Sequence, residues 1–185
     1  MIIGITGTDG AGKGTVVEYL VNNKGFTHYS ARAIFLEEIA RQGIEPTRAN
    51  MRLIGNEMRA VHGNDFVVTY YLPRIQKDVV EYAVIDSLRT TAEAETLKAN
   101  NGTLLAVDAD QTLRYERVQA RRSSSDQVSF AQFQAHEELE NNDPDPHGMQ
   151  KRTVIEMADY VIENNGTLDA LHQKIDTVLI QIATA

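Results

Sequence analysis

The residues with the clearest chemistry are Gly7-Thr8-Asp9-Gly10-Ala11-Gly12-Lys13-Gly14-Thr15. They stand between a mostly apolar run, Ile2-Ile3-Gly4-Ile5-Thr6, and the amphipathic opening Val16-Val17-Glu18-Tyr19-Leu20-Val21. G-x-x-x-x-G-K with a buried strand before it and a helix after it is the pattern of a loop that binds a polyphosphate. Glycines let the backbone bend until successive N–H groups point at one anion, the helix N-terminus adds partial positive charge, and Lys13 adds a full one. A merely flexible turn would not explain a lysine set beside the last glycines. One departure bears on metal binding. Gly14 follows the lysine and the hydroxyl comes one position later, at Thr15, so magnesium is expected to be held mostly through water and substrate oxygens.

Phosphoryl transfer asks a protein to align donor and acceptor, neutralise charge and exclude water. Arginines near the loop are therefore the next residues to place. Asp86-Ser87-Leu88-Arg89 closes an apolar strand, where Asp86 would organise Mg²⁺ or its waters and Arg89 would reach an acceptor phosphate; the bland alternative is a helix cap and a surface arginine. Arg114, Arg117, Arg121 and Arg122 share one helix at spacings of three and four. They make either a solvated basic face or a clamp on the transferring group, for which Arg121 and Arg122 at the helix end are the better placed. Arg32, Arg52, Arg59 and Arg74 are candidates for the acceptor phosphate, with Arg59 and Arg32 favoured. Asp9 would be repelled by a bound phosphate, so it is expected to face sideways, capping the loop or accepting hydrogen bonds from acceptor hydroxyls. His28, His62, His136, His147 and His172 show no metal-ligand spacing and read as structural or surface residues.

These side chains need a frame, and the alternation of patterns supplies one. Strands are expected at Ile2–Thr6, Phe26–Tyr29, Glu81–Asp86, Thr103–Val107 and Tyr160–Ile162, with helices between them. Helices from Ala31 to Ala40, from Thr47 to about His62 and from Asp65 to Lys77 form a helical insertion over residues 31–78. Residues 121–150 make a short lid region in which Ser123–Asp126 break the pattern, Phe130–Glu140 is a polar helix, and the breaker-dense Asn141–Gly148 is the best candidate for a mobile element. The frame predicted is a single α/β domain over residues 1–185, a three-layer α/β/α fold with a parallel sheet of about five strands. With 185 residues the chain can bury a substantial core. A net charge of -8 argues against broad binding to nucleic acid or an anionic membrane. No cysteine is present, which excludes disulfides and thiolate chemistry. No long apolar run is present, and the chain opens directly on a core strand, so a soluble, cytoplasmic protein is expected.

The order of motifs resembles the nucleoside monophosphate kinases among the P-loop phosphotransferases. Gly7 to Thr15 looks like the adenylate-kinase form of the loop, in which glycine likewise separates lysine from threonine. Asp9-Gly10 also resembles thymidylate kinases, whose acidic residue faces the acceptor sugar. Val84-Ile85-Asp86-Ser87-Leu88-Arg89-Thr90 is similar to the Asp-Gly-x-Pro-Arg strand end of that group, which implies that Arg89 contacts the acceptor phosphate. Glu116-Arg117-Val118-Gln119-Ala120-Arg121-Arg122 resembles the entrance to the lid. Ala158 to Gly166 resembles the closing strand and turn of dephospho-CoA kinases, which implies that Asn165, with Arg117, lies near the donor nucleotide. The resemblance implies the fold named above, ATP as phosphoryl donor with Mg²⁺, and Gly7, Asp9, Gly10, Ala11, Gly12, Lys13, Gly14 and Thr15 around the donor phosphates. The expected activity is transfer from ATP to a nucleoside or deoxynucleoside monophosphate by a monomer or homodimer. Two alternatives stand beside it: a dephospho-CoA kinase, and a nucleotide-binding regulatory protein with little or no transfer. The arginine that adenylate kinases carry after the second strand is absent, since Leu36 stands there, and the distal lid lacks their paired arginines.

Overall fold

The computed structural model describes residues 1–121 and 128–184; Arg122 and the Ser123–Asp126 break lie outside the described residues. Five parallel strands, β1 (Ile2–Gly7), β2 (Thr27–Ser30), β3 (Ala83–Asp86), β4 (Thr103–Asp108) and β5 (Tyr160–Glu163), lie in the order β2-β3-β1-β4-β5. Among the described residues the helices are α1 (Lys13–Lys24), α2 (Ala31–Gln42), α3 (Arg48–His62), α4 (Phe66–Lys77), α5 (Thr91–Ala99), α6 (Gln111–Ala120), α7 (Phe130–Asn141), α8 (Lys151–Glu156) and α9 (Leu168–Thr184). None of them is long and apolar enough to cross a membrane. The strand and helix order matches the expectation, with boundaries moved by one to a few residues; β2, for example, begins at Thr27 instead of Phe26.

The sheet is covered on both faces, and the period-2 alternation of each strand decides which residue serves which layer. Ile3, Ile5, Val84, Leu105 and Val107 pack with Val16, Val17 and Leu20 of α1 and Leu171 and Ile175 of α9. Ala83, Ile85 and Leu104 face the other way, onto the apolar residues of α2 to α5 and Val154 of α8. The result is a three-layer α/β/α fold. Gly4 lies in the central strand where a Cβ would come 2.4 Å from Leu97 Cδ2 and 2.7 Å from Leu88 Cδ1. Its missing side chain lets Leu88 and Leu97 seat directly on β1, in the layer that carries Arg89.

Both neighbours of β1 run parallel to it, so the C-terminal ends of β1, β3 and β4 lie side by side, at Gly7, Asp86 and Asp108. That edge is where open parallel sheets bind ligands. Helices α6 and α7 stack over its β4 side through Tyr115, Phe130 and Phe133, whose rings lie 5.1 to 6.5 Å apart. Asn141–Gly148, expected to be mobile, is tied down. Asp145 N–H donates to Asp143 Oδ1 at 3.1 Å and His147 N–H to Asp145 Oδ1 at 2.8 Å. Arg52 donates to Asp143 at 3.0 Å, Asn56 to Asp145 at 3.1 Å and Asn64 to the Pro146 carbonyl at 3.1 Å. The segment is thus a strap fastened to α3 and the turn after it.

Gly7 leaves β1 at φ 130°, and a Cβ there would stand 2.0 Å from the Val107 carbonyl oxygen. The obstacle is backbone of the neighbouring strand and cannot rotate away. Gly7→Ala is expected to lower stability by at least about 2 kcal/mol, measured as a shift in the urea midpoint at unchanged m-value.

Candidate functional site

The loop from Gly7 to Gly12 is shaped by side chains that hold its carbonyls. Lys13 Nζ donates to Gly7 O at 2.9 Å and Thr8 O at 2.7 Å, and Arg89 Nη1 also donates to Gly7 O at 2.9 Å. Arg114 Nη1 donates to Asp9 O at 3.2 Å, and Asn164 Nδ2 to Ala11 O at 2.8 Å. Thr8 Oγ1 donates to Asp108 Oδ1 at 2.5 Å. Gly12, at φ 101°, precedes α1 and offers no side chain to cap it. The first N–H groups of α1 are therefore left for an anion.

Asp9 lies at the centre of the site. Its Oδ2 accepts from Arg48 of α3. Its Oδ1 has Lys13 Nζ at 3.7 Å, Arg89 Nη2 at 3.6 Å and Lys151 Nζ at 3.7 Å. Glu140 from α7 completes the group, pairing with Arg48 and accepting from Lys151 Nζ at 2.8 Å. Burial alone would raise the Asp9 carboxyl, and Lys151, Lys13, Arg89 and Arg48 outweigh it, holding the group well below the usual carboxylate range. Burial, with the like charges of Arg89 and Lys151, lowers the Lys13 ammonium to about 7 despite Asp9 and Glu140.

On one side of this cluster is a cavity of about 210 Å³ bounded by α2, α3, the turn after β3 and the end of the strap. Its apolar wall is Ala31, Phe35, Met51 and Met149, and its polar wall includes Asp9, Arg32, Arg48, Arg52, Arg59 and Arg89. Arg32 is exposed and free of ion pairs among the described residues. Arg59 is 3% exposed, 3.5 Å from Glu93 Oε1 and 5.7 Å from the Phe35 ring centroid. Arg89 is aimed by its own turn: Glu93 Oε2 accepts from Arg89 N at 2.6 Å and from Thr90 N at 3.0 Å, inside the capping box of α5. Ser87 makes that turn at φ 66°, the left-handed conformation that favours glycine. Arg74 lies away from the cavity, its guanidinium 3.6 Å over the Tyr70 ring.

On the outer side of the loop a second cleft is lined by Gly10, Gly12, Thr15, Arg117, Arg121, Asn164, Gly166 and Leu168. Arg117 Nη1 is buried there and has no hydrogen-bond partner among the described residues. Arg121, read from the sequence as a clamp over the transferring group, lines this outer cleft with Arg117. Asn165 is drawn off to Asp110, accepting from its N–H at 2.8 Å and donating to its carboxylate at 3.1 Å, so Asn164 is the asparagine of the cleft. Asp86 is held by His28 Nε2 at 3.0 Å through Oδ2, while Oδ1 is buried and has no hydrogen-bond partner among the described residues.

Sequence reasoning passed over Arg48, Glu140, Lys151, Asn164 and Asp108. Asp108 ends a buried strand beside β1, a position that by itself marks a ligand edge. Asn164 stands next to the residue that was chosen. Nothing local marks Arg48, whose partners are 39 and 92 residues away in sequence. Arg114 is spent on structure, donating to Ala109 O at 2.8 Å and Glu137 Oε1 at 2.5 Å as well as to the loop.

A family model described as an AAA domain matches residues 3–145. A UPF0200 protein of Methanothrix thermoacetophila is 30% identical over 183 residues, covering 98% of this chain and 97% of that one. A UPF0200/UPF0201 protein of Archaeoglobus fulgidus is 29% identical over 187 residues, covering 98% of this chain and 56% of the relative, so this chain spans little more than half of that protein's length. Among solved structures, a shikimate kinase from Bacteroides thetaiotaomicron superposes with a TM-score of 0.65 at 11% identity, covering 97% of this chain and 98% of that one. A dephospho-CoA kinase from Campylobacter jejuni does so with 0.53 at 16% identity, covering 99% and 97%. At these identities the structural likeness is one of fold, that of P-loop kinases.

The lowered Lys13 ammonium gives a signed pH dependence. Between pH 7 and 10.5 the unfolded chain holds a proton on Lys13 that the folded chain has lost, so this group's contribution to stability rises with pH across that window. A bound polyphosphate favours the charged ammonium, so binding takes up a proton. Affinity for ATP, itself fully ionised above pH 7.5, is expected to fall with a slope approaching about tenfold per pH unit from pH 7.5 to 9. Calorimetry in buffers of different ionisation enthalpy checks both the slope and the proton uptake.

Proposed function

The chain belongs to the AAA domain family and to the UPF0200 proteins, and from that premise we propose that it is an ATP-dependent phosphotransferase whose acceptor is a nucleoside or deoxynucleoside monophosphate. The observation that carries the reading is Arg89, which donates to Gly7 of the phosphate loop and also lines the arginine-rich cavity. An acceptor phosphate bound by Arg89 would rest against the donor loop.

In this reading the β- and γ-phosphates of ATP lie on the N–H groups of the loop and α1, with the nucleoside in the outer cleft beside Arg117, Arg121 and Asn164. Lys13 leaves the carbonyls of Gly7 and Thr8 for the phosphates. Arg89, Arg59 and Arg32 hold the acceptor phosphate, and Phe35 with Met51 meets its apolar part. An acceptor phosphate oxygen forms the new bond to the γ-phosphorus, the bond from that phosphorus to the β–γ bridging oxygen breaks, and ADP leaves with the electron pair. Thr15 and the unpartnered Oδ1 of Asp86 suit Mg²⁺ held through its waters, which would supply charge neutralisation between the phosphates.

A hydroxyl acceptor, as in a dephospho-CoA kinase, would need a base to take its proton. The carboxylates lining the cavity, Asp9 and Glu140, are both ion-paired, and Asp9 is held far below the range in which a base works near neutrality. An acceptor that is already nucleophilic, a phosphate oxygen, needs no base. This supports the monophosphate over the sugar hydroxyl.

The test is a phosphotransfer screen with radiolabelled ATP against the common ribo- and deoxyribonucleoside monophosphates and dephospho-CoA. Labelled nucleoside diphosphate is the expected product; label on dephospho-CoA alone would transfer the assignment to a hydroxyl acceptor, and no product at all would leave a regulatory nucleotide binder. Lys13→Ala is expected to reduce transfer by about 10³-fold or more with the fold intact. Arg89→Ala should still bind ATP while losing transfer to every acceptor.

A further inference from the structure

Lys151 is the most completely buried cation of the described chain, at 0% exposure, and the sequence reading gave it no role. It is the first residue of α8, and the strap fastened to α3 leads directly into it. Burying a lysine is costly unless the charge is answered. Glu140 answers it at 2.8 Å. That pairing alone does not require Lys151 to stand at the phosphate loop, and Glu140 already has a second cation in Arg48.

The position of the ammonium carries the inference. Lys13 Nζ, Arg89 Nη2 and Lys151 Nζ stand 3.7, 3.6 and 3.7 Å from the same atom, Asp9 Oδ1. None is within hydrogen-bond reach of that oxygen, so the three cations surround one point without closing on it. Lys13 belongs to the donor loop and Arg89 to the acceptor cavity, so the point lies where the two sides meet. A phosphoryl group in transit spreads negative charge over three peripheral oxygens, and cations held close to its path stabilise it. A lid could also supply such charge, but among the described residues α7 contains no lysine or arginine, and Arg121 lines the cleft on the outer side of the loop.

We propose that Lys151 is a catalytic residue of phosphoryl transfer, the third cation of a ring with Lys13 and Arg89, donating to a peripheral oxygen of the transferring group. The proposal rests on the phosphotransfer reading above and adds to it a residue from beyond the lid. Lys151 undergoes no covalent change; Glu140 holds it in place at 2.8 Å.

The test uses the protein with ADP, Mg²⁺, aluminium fluoride as a stand-in for the phosphoryl group in transit, and nucleoside monophosphates to supply the acceptor oxygen. Calorimetric affinity for ADP alone and for ADP with aluminium fluoride and a monophosphate is compared in wild type, Lys151→Met, Lys151→Arg, Glu140→Gln and the double variant Lys151→Met with Glu140→Gln, alongside thermal unfolding. Lys151→Met is expected to weaken the aluminium fluoride complex by about 10²-fold while ADP alone changes by less than about threefold. Lys151→Arg should recover most of the loss. The double variant removes both buried charges, so it should regain thermal stability without regaining the complex. Recovery of the complex together with stability in the double variant would reduce Lys151 to a structural partner of Glu140 and overturn the proposal, as would wild-type affinity in Lys151→Met. Should Lys151→Met fail to fold, the double variant and Lys151→Arg carry the same comparison. If wild type gains no affinity from aluminium fluoride with any nucleoside monophosphate, the phosphotransfer reading itself falls, and the proposal with it; if wild type gains affinity and the variants keep it, only the proposal falls.

Discussion

Four cations from four parts of the chain meet at one carboxylate, and the site depends on that meeting. Lys13 comes from the loop, Arg48 from α3, Arg89 from the turn after β3 and Lys151 from α8. Without a negative charge among them their mutual repulsion would push the insertion, the turn and α8 away from the loop. Asp9 removes that obstacle, and Glu140 does the same for Arg48 and Lys151. The arrangement is most sensitive to loss of a partner of Lys151, whose side chain is fully buried, because an uncompensated buried charge is costly. An acidic residue inside a phosphate loop looks unfavourable until these partners are counted; here it is what lets Arg48, Arg89 and Lys151 gather beside the loop.

The loop divides the site into two spaces with different chemistry. The outer cleft is built from the end of α6 and the turn after β5, and Asn164 ties that turn to Ala11. The inner cavity is built from the insertion and the strap. Arg114 joins α6 and α7 to the loop through Glu137 and the Asp9 carbonyl. Burial would raise the Glu137 carboxyl, but its bonds from Arg114 and Gln111 lower it, so the joint is ionic. The basic face of α6 is thus shared out: Arg114 is structural, while Arg117 and Arg121 line the outer cleft.

How much of this was legible in the sequence follows from how local each signal is. The strand, loop and helix at the N-terminus declare themselves within twenty residues, because glycine placement, lysine and hydrophobic period all act over short range. Buried strands such as Leu104–Val107 are equally plain as apolar runs. Arg32 and Arg59 were singled out, and both line the inner cavity, because an insertion between strands narrows the choice of arginines. Lys151 and Arg48 were not legible. Each opens a helix in polar surroundings, and only the folded topology brings either to Asp9. The contacts of the strap were not legible for a related reason: proline, glycine and aspartate mark the absence of regular structure, whereas its hydrogen bonds come from Arg52, Asn56 and Asn64 on a different part of the chain.

The strap also joins parts of the site that are far apart in sequence. It is bonded to α3, which forms one wall of the inner cavity, and beyond it the backbone N–H of Gln150 donates to the Arg89 carbonyl at 2.8 Å, one residue before Lys151. The cavity wall, the turn that carries Arg89 and the buried ammonium are therefore linked through one short segment, so a substitution that loosens the strap is felt at all three.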